Sequence, residues 1–488
     1  MLVASPSRPG AVALLLRVFV RRHTGTLVPL WVAALTAILA LRHLHDPLWQ
    51  DEVASAWIID ERSLTAVVHR VVRTESTPPL WYLLAWVSHR AGLAVADVRL
   101  LSIAALSSAA AITVVLARRL MPLPFAALAG LLVAVGAQFA AHAHELRAYA
   151  LLTLVTVAFA LLLVSEASHA TRWCEAGLAL TTAAGLLTHY FFVFTVAAAL
   201  AWLWLDPRGR PIRFRATGAV SIGGALGATF LPSALRQYHA GHLWWIGSFS
   251  FTKVAAAPFR IFSALATTGM TGRVIPLLVS VTAIAAAVLV CRTSSYGRLF
   301  LLFGLGPLLL AGALWALGVR IFAVRNLIES GPFLAICAAN VVARLPRRLH
   351  LPAAVAVVLA ASGGYAWTQV QPRTPYEQIA DALVSEGWQT PNPIAVVGNF
   401  FAFRSPLEWY LPRNPSLAHL PTLGTCPRVF LVANDKIRRP PGVLATMRAG
   451  DFLIERLQLS APLRHVPILR SATILADPHD PPSCKPSD

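Results

Sequence analysis

The feature that most constrains this chain is a series of apolar runs, most of them close to the roughly 17 to 25 residues that a helix needs to cross a bilayer. They lie at Leu27–Leu44, Arg99–Ala117, Phe125–Ala143, Ala148–Val164, Trp173–Thr188, Tyr190–Leu205, Ala216–Leu235, Arg273–Val290, Leu299–Leu317, Asn326–Val342 and Leu351–Trp367. Soluble domains carry roughly 25% charged residues. This chain carries 13%, with 57% hydrophobic residues and a mean hydropathy of +0.63. Its helices must therefore face lipid or one another, which predicts a polytopic α-helical membrane protein.

Charge placement gives the orientation. The formal charge of +19 is spread over short clusters between apolar runs: Arg118-Arg119, Arg172, Arg208 to Arg215, Arg292 with Arg298, and Arg344 with Arg347-Arg348. That is the cytoplasmic-loop pattern of the positive-inside rule. No contiguous basic face with interleaved aromatics appears, so nucleic acid is excluded as a partner. Residues 1–26 are expected to be a cytoplasmic segment leading into a retained first span, because no small-residue cleavage site follows it. One further apolar stretch, Pro79–Gly92, is too short to cross. If it did cross, every later basic cluster would move outside, so it is expected to be an interfacial helix within an outer loop, 46–98. Eleven spans follow within 27–368, in the plasma (inner) membrane, with the N-terminus inside and the C-terminus outside.

This topology gathers the unusual polar residues on the outer face. They are Asp46-Pro47-Leu48-Trp49-Gln50-Asp51-Glu52 and Glu75-Ser76-Thr77-Pro78-Pro79-Leu80-Trp81-Tyr82, then His142–Tyr149, the Thr188-His189-Tyr190 corner, Trp244-Trp245 and the Gly318–Arg325 loop. Adjacent carboxylates at the mouth of a membrane helix are costly to desolvate, so they serve chemistry, ion binding or a pocket unless the loop is simply hydrated. Beyond Trp367 the composition turns richer in Pro and charge. Residues 371–476 are expected to form a small extracytoplasmic α/β domain with a helix at Tyr376–Gly387 and strands at Ile394–Gly398, Val429–Ala433 and Ser471–Ala476. The Pro-rich tail 477–488 is expected to be disordered. Cys426 and Cys484 lie where oxidation is permitted and could pair. No Cys/His spacing matches a zinc site, and Ala148 breaks the one His-Glu start of a metalloprotease helix.

The order of these motifs resembles the GT-C integral-membrane glycosyltransferases, in the branch of protein O-mannosyltransferases and the aminoarabinose transferase of lipid A. An outer Asp-Glu after the first span is followed by Glu-x-x-Pro-Pro-Leu-x-Tyr-Leu. Arg99 then heads the second span, and Leu-Arg-Ala-Tyr-Ala-Leu-Leu enters the fourth. The match covers about residues 27 to 205. Two positions depart from it: Thr77 replaces a His frequent before Pro-Pro, and His189 stands where some relatives carry Lys.

The resemblance implies inverting transfer of a sugar, with mannose the first guess, from a polyprenyl-phosphate carrier to an acceptor hydroxyl on a lipid, polysaccharide or protein. Such transfer needs a base for the hydroxyl proton and cations for the departing phosphate. It implies Asp51 as base, with Glu52 orienting it or binding acceptor; as plain helix acids, both would cap Val53–Ile59. Arg99, Arg320 and Arg325 become candidates for the donor phosphate, against snorkelling or interfacial anchoring. Glu75, Glu145, Arg147, His189 and Tyr190 become candidates for substrate contact, against dipole stabilisation for Glu75 and structural roles for the rest. No cofactor is expected; the mechanism does not require a metal, though the Asp/Glu cluster could hold a divalent one. The competing readings are a secondary transporter, disfavoured by span interiors almost free of ionisable residues, and a non-enzymatic membrane assembly protein.

Overall fold

The computed structural model describes residues 11–243, 245–263, 271–370 and 376–385, and in the C-terminal part 395–398, 409–410, 416–417, 429–434, 443–449, 452–457 and 473–476. The chain divides into two compact units. The first comprises Met1–Leu44 and Glu61–Val370; the second comprises His45–Asp60 and Gln371–Asp488.

The helices in chain order are α1 (Ala11–Leu41), α2 (Gln50–Ile59), α3 (Leu64–Thr74), α4 (Leu80–Arg90), α5 (Arg99–Ala117), α6 (Leu123–Val135), α7 (Ala137–His142), α8 (Tyr149–Ser168) and α9 (Arg172–Thr188). They continue as α10 (Phe192–Leu205), α11 (Arg213–Ala228), α12 (Leu231–His239), α13 (Phe251–Phe262), α14 (Thr271–Cys291), α15 (Ser295–Ala316), α16 (Gly331–Arg344), α17 (Arg347–Val370) and α18 (Tyr376–Ser385). Helix covers all or most of every apolar run read from the sequence. Five stretches among the described residues are long and apolar enough to cross a bilayer: Ala96–Ala117, Tyr149–Ser168, Val274–Cys291, Ser295–Ala316 and Val324–Arg344. The chain is a multi-pass membrane protein.

Starts and stops follow local chemistry. Ser63, Thr171, Ser250 and Ser294 each accept a backbone N–H with the side-chain oxygen, capping α3, α9, α13 and α15. Helix α4 begins after Pro79 and ends before Gly92, whose φ of 106° suits a residue without Cβ. Its 11 residues rise only about 16 Å, roughly half a bilayer core, as expected for a helix that does not cross.

Three expected spans are interrupted. Phe125–Ala143 breaks at Gly136, where ψ of 142° separates α6 from α7. A Cβ there would meet Leu132 O at 2.7 Å, so the break is built on glycine. Ala216–Leu235 bends by 49° between α11 and α12, just ahead of Pro232, which has no N–H to continue the ladder. Asn326–Val342 enters through a 3-10 segment, Val324–Ser330, with non-helical φ/ψ at Leu327.

The first unit has one continuous apolar core, threaded by α5, α6, α8, α10, α15 and α16 and including the buried Phe159, Phe192, Trp202, Phe300, Phe303 and Phe333. Exposed large apolar side chains on α1, α11, α14 and α17, such as Trp31, Ile222, Leu278 and Leu359, are what a bilayer-facing surface requires. On the Arg-rich side, Arg298 Nε donates to Asp206 Oδ2 and Ser295 Oγ to Oδ1, each at 2.5 Å, tying the end of α10 to the start of α15. Arg215 joins α11 to Glu175 on α9.

In the second unit, strands β1 (Ala395–Gly398), β2 (Ser416–Leu417), β3 (Val429–Asn434), β4 (Val443–Ala449), β5 (Phe452–Leu457) and β6 (Thr473–Ala476) form one sheet of order β2-β6-β1-β3-β5-β4. β1 and β3 run parallel, Val396 opposite Phe430; the other neighbours are antiparallel, with a bulge between Val443 and Ala445. The hydroxyl of Tyr410 accepts from Leu48 N at 2.6 Å, and Trp57 meets Trp409 edge-on at 5.2 Å, attaching α2 to the C-terminal segment. Residues 477–488, Cys426 and Cys484 lie outside the described residues.

Candidate functional site

The acidic pair occupies the first turn of α2, in the second unit. Glu52 is fully buried, and its Oε2 accepts from Trp49 N at 3.3 Å, so it caps the helix that carries Asp51. Asp51 is half-buried, and its carbonyl accepts from Ser55 Oγ at 3.2 Å.

In the first unit the outer polar residues form a buried network. Arg147 Nη1 donates to Glu75 Oε2 at 2.9 Å, and both side chains are more than nine-tenths buried. Glu75 closes α3, and its carbonyl lies 2.8 Å from His242 Nδ1. Glu145 Oε2 lies 2.5 Å from His142 Nδ1, while the Glu145 carbonyl accepts from Ser102 Oγ at 2.6 Å. Glu145 and Arg147 lie in the turn between α7 and α8, not on a helix, with Glu145 against His142 and Arg147 against Glu75. Arg99, fully buried at the head of α5, donates to Leu44 O at 2.7 Å and reaches His43 O at 3.4 Å. It thus satisfies carbonyls that the end of α1 leaves open.

The first unit also holds an apolar cavity of about 210 Å³. Phe191, Val193, Phe194, Leu235 and Leu243 supply apolar wall; Ser76, His189, Tyr190, Gln237 and Asn326 supply the polar points. Tyr190 OH donates to Gln237 Oε1 at 3.1 Å, and Gln237 Nε2 donates to Val71 O at 3.2 Å, which fixes the amide's orientation. Arg325 lies 4.5 Å over the Trp245 ring and is half-buried; Arg320 is exposed. Trp244 lies outside the described residues.

His189 reports the field in this cavity. Burial, and after it the positive charges of Arg147 and Arg325, lower its pKa from 6.5 to about 3. The ring is therefore neutral, and since its Nδ1 accepts from Phe191 N at 3.2 Å, the proton sits on Nε2. The unfolded chain takes up this proton near pH 6.5 and the folded chain only near 3. Stability should therefore fall as pH drops through that window, by up to about 1.4 kcal/mol per pH unit, and be unaffected above it. His189→Gln should flatten the acid limb of thermal stability between pH 4 and 6.5; an unchanged limb would contradict this. On α4, burial pushes the Tyr82 phenol far above its usual range, with Thr77 Oγ1 3.4 Å from its oxygen.

Sequence reasoning passed over Glu329. It is fully buried where the 3-10 segment meets α16, and its carboxyl oxygens find no hydrogen-bond partner beyond its own backbone among the described residues. Its position inside an apolar run hid it.

No family model matches this chain, and no curated protein does. Solved structures do. The crystal structure of ArnT from Cupriavidus metallidurans in the apo state matches with a TM-score of 0.53 at 14% identity, covering 89% of this chain and 98% of that one. The same protein bound to undecaprenyl phosphate matches with a TM-score of 0.52 at 13% identity, covering 90% and 99%. Over nearly all of its length the chain therefore has the fold of ArnT, whereas the motif resemblance covers about residues 27 to 205.

Proposed function

We propose that this protein transfers a sugar from a polyprenyl-phosphate carrier to an acceptor on the outer face of the plasma membrane. The observation that carries the reading is the near full-length fold match to ArnT, a protein solved with undecaprenyl phosphate bound. The apolar cavity adds support. Its wall suits an isoprenoid chain, the Nε2–H of neutral His189 supplies a donor for a phosphate, and Arg147 and Arg325 lie near enough to His189 to act on it through their positive charge.

In this reading the eleven helical runs each cross, with the N-terminus inside and the C-terminus outside. Asp51 takes the acceptor hydroxyl proton as the oxygen attacks the anomeric carbon, and the carrier phosphate leaves with inversion. Glu52, by capping α2, positions Asp51. Arg325 holds the phosphate, with Arg99 and the exposed Arg320 as further basic groups toward the carrier. Glu75, Glu145, Arg147, His189 and Tyr190 contact or frame the substrates. Mannose is the first sugar to test, with lipid, polysaccharide and protein acceptors, and no metal is required.

The test is transfer of radiolabel from polyprenyl-phosphate mannose to a membrane, cell-wall or protein fraction by the protein reconstituted in liposomes. Label should reach one acceptor fraction. Solute flux without transfer would instead support the transporter reading, which the buried Glu329 favours; in that case Glu329→Gln should abolish flux.

A further inference from the structure

At the other end of α16 from the cavity lies a pair of thiols that the transfer reading does not use. Cys291 is the last residue of α14, and Cys337 sits about two turns into α16; both are buried and unbridged. The two helices pack against each other, and Asn340, three residues after Cys337 on α16, reaches the Cys291 sulfur, which brings the two thiols close together. Asn340 Nδ2, one turn further along α16, donates to Cys291 Sγ at 3.4 Å, and Arg344 in the last turn acts on the same sulfur through its charge. The amide oxygen of Asn340 is buried and finds no hydrogen-bond partner among the described residues. A buried acceptor left open in this way calls for a small donor such as water or a polar reactant.

Cys174 provides the contrast. It is half-buried, and the structure places no thiol against it among the described residues. Exposure alone would make Cys174 the more reactive. The arrangement around Cys291 favours the opposite order, because the Asn340 amide donor and the positive charge of Arg344 stabilise a sulfur that carries negative charge, and a second thiol lies close by on the facing helix.

We propose that Cys291 and Cys337 form a reversible thiol–disulfide modification site joining α14 to α16, with a small neutral peroxide as oxidant. The Cys291 sulfur attacks one peroxide oxygen, giving the sulfenic acid and one water after proton transfer. The Cys337 sulfur then attacks the sulfenic sulfur; the S–S bond forms as the hydroxyl leaves as a second water. In sum, two thiols and one hydrogen peroxide give one disulfide and two waters. A dithiol donor reverses the bond by exchange. The bridge couples α14 to the helix whose entry segment brings Asn326 to the cavity.

The full chain in nanodiscs, treated with hydrogen peroxide and then alkylated, gives the test by intact mass and peptide mapping. The expected product has lost the mass of two hydrogens, carries a Cys291–Cys337 cross-link, keeps Cys174 open to alkylation, and reverts with dithiothreitol. Cys337→Ser should stop at a sulfenic acid on Cys291 that dimedone traps; Cys291→Ser should give no cross-link. Oxidation of Cys174 while Cys291 and Cys337 remain alkylatable would overturn the proposal, as would dimedone labelling of Cys174 in the Cys337→Ser protein.

Discussion

Glu75→Gln should cost about 3–5 kcal/mol of stability, the range found when one partner of a buried ion pair is removed. The substitution keeps the size and hydrogen-bonding atoms of the side chain and removes only its charge. What it leaves is the Arg147 guanidinium, 8% exposed and 2.9 Å from where the carboxylate stood. At that depth water cannot replace the lost charge partner, so much of the desolvation cost of the cation loses its compensation. The account also predicts non-additivity. Arg147→Met introduced into the Glu75→Gln protein should recover much of the loss, since it deletes the stranded charge rather than a second favourable contact. Denaturant or thermal unfolding of the four proteins of this cycle in one detergent checks it. A Glu75→Gln cost under about 0.5 kcal/mol, the size expected of a surface change, would contradict the buried pair.

Asp51→Asn should lower the rate of sugar transfer by about 10²–10⁴-fold, the usual contribution of a positioned base, while changing stability little. The two effects separate because the substitution keeps the size of the half-buried side chain, and its interaction with the first-turn dipole is worth about 0.3–1 kcal/mol. Carrier binding should be unchanged, since the proposal gives the phosphate to arginines and not to Asp51. Glu52→Gln supplies the comparison. It retains an oxygen able to accept from Trp49 N, so the cap survives in weakened form and transfer should fall far less than in Asp51→Asn. Equal losses in the two variants would place the base elsewhere.

Much of the helical architecture was legible because its cause is local. Runs such as Val274–Cys291 or Ser295–Ala316 are apolar on every face, and only a bilayer or a deep core accommodates that. The shortness of Leu80–Arg90, bounded by Pro79 and Gly92, was equally readable. The breaks at Gly136 and ahead of Pro232 were signalled by residues that permit a break without requiring one. Their location depends on neighbours such as Phe139 and Phe262, which crowd the missing Cβ of Gly136. Strands β4 and β5 escaped notice because Arg448, Glu455 and Arg456 interrupt their apolar character.

The site was legible as a set of residues and illegible as a set of partners. Composition and motif order gathered Glu75, Glu145, Arg147, His189 and Tyr190 on one face. Nothing local says that Arg147 chooses Glu75, 72 residues away, over the nearby Glu145, or that Glu145 turns to His142. Those choices are made by the folding of α3 and α4 against the bundle. Arg99 shows the same limit: its bond to a carbonyl at the end of α1 is set by packing and could not be read from its place at the head of α5. The grouping of His45–Asp60 with the C-terminal unit rests on contacts such as Leu48 with Tyr410, 362 residues apart, which no spacing rule reveals.

The central claim is most directly tested by a single-turnover reaction in liposomes, with polyprenyl phosphate carrying a sugar labelled at the anomeric carbon. Freed carrier phosphate and acceptor-bound label should appear one for one, with the anomeric configuration inverted in the product. Sugar retained on the carrier in the presence of all three acceptor classes, or released only as free sugar, would contradict it.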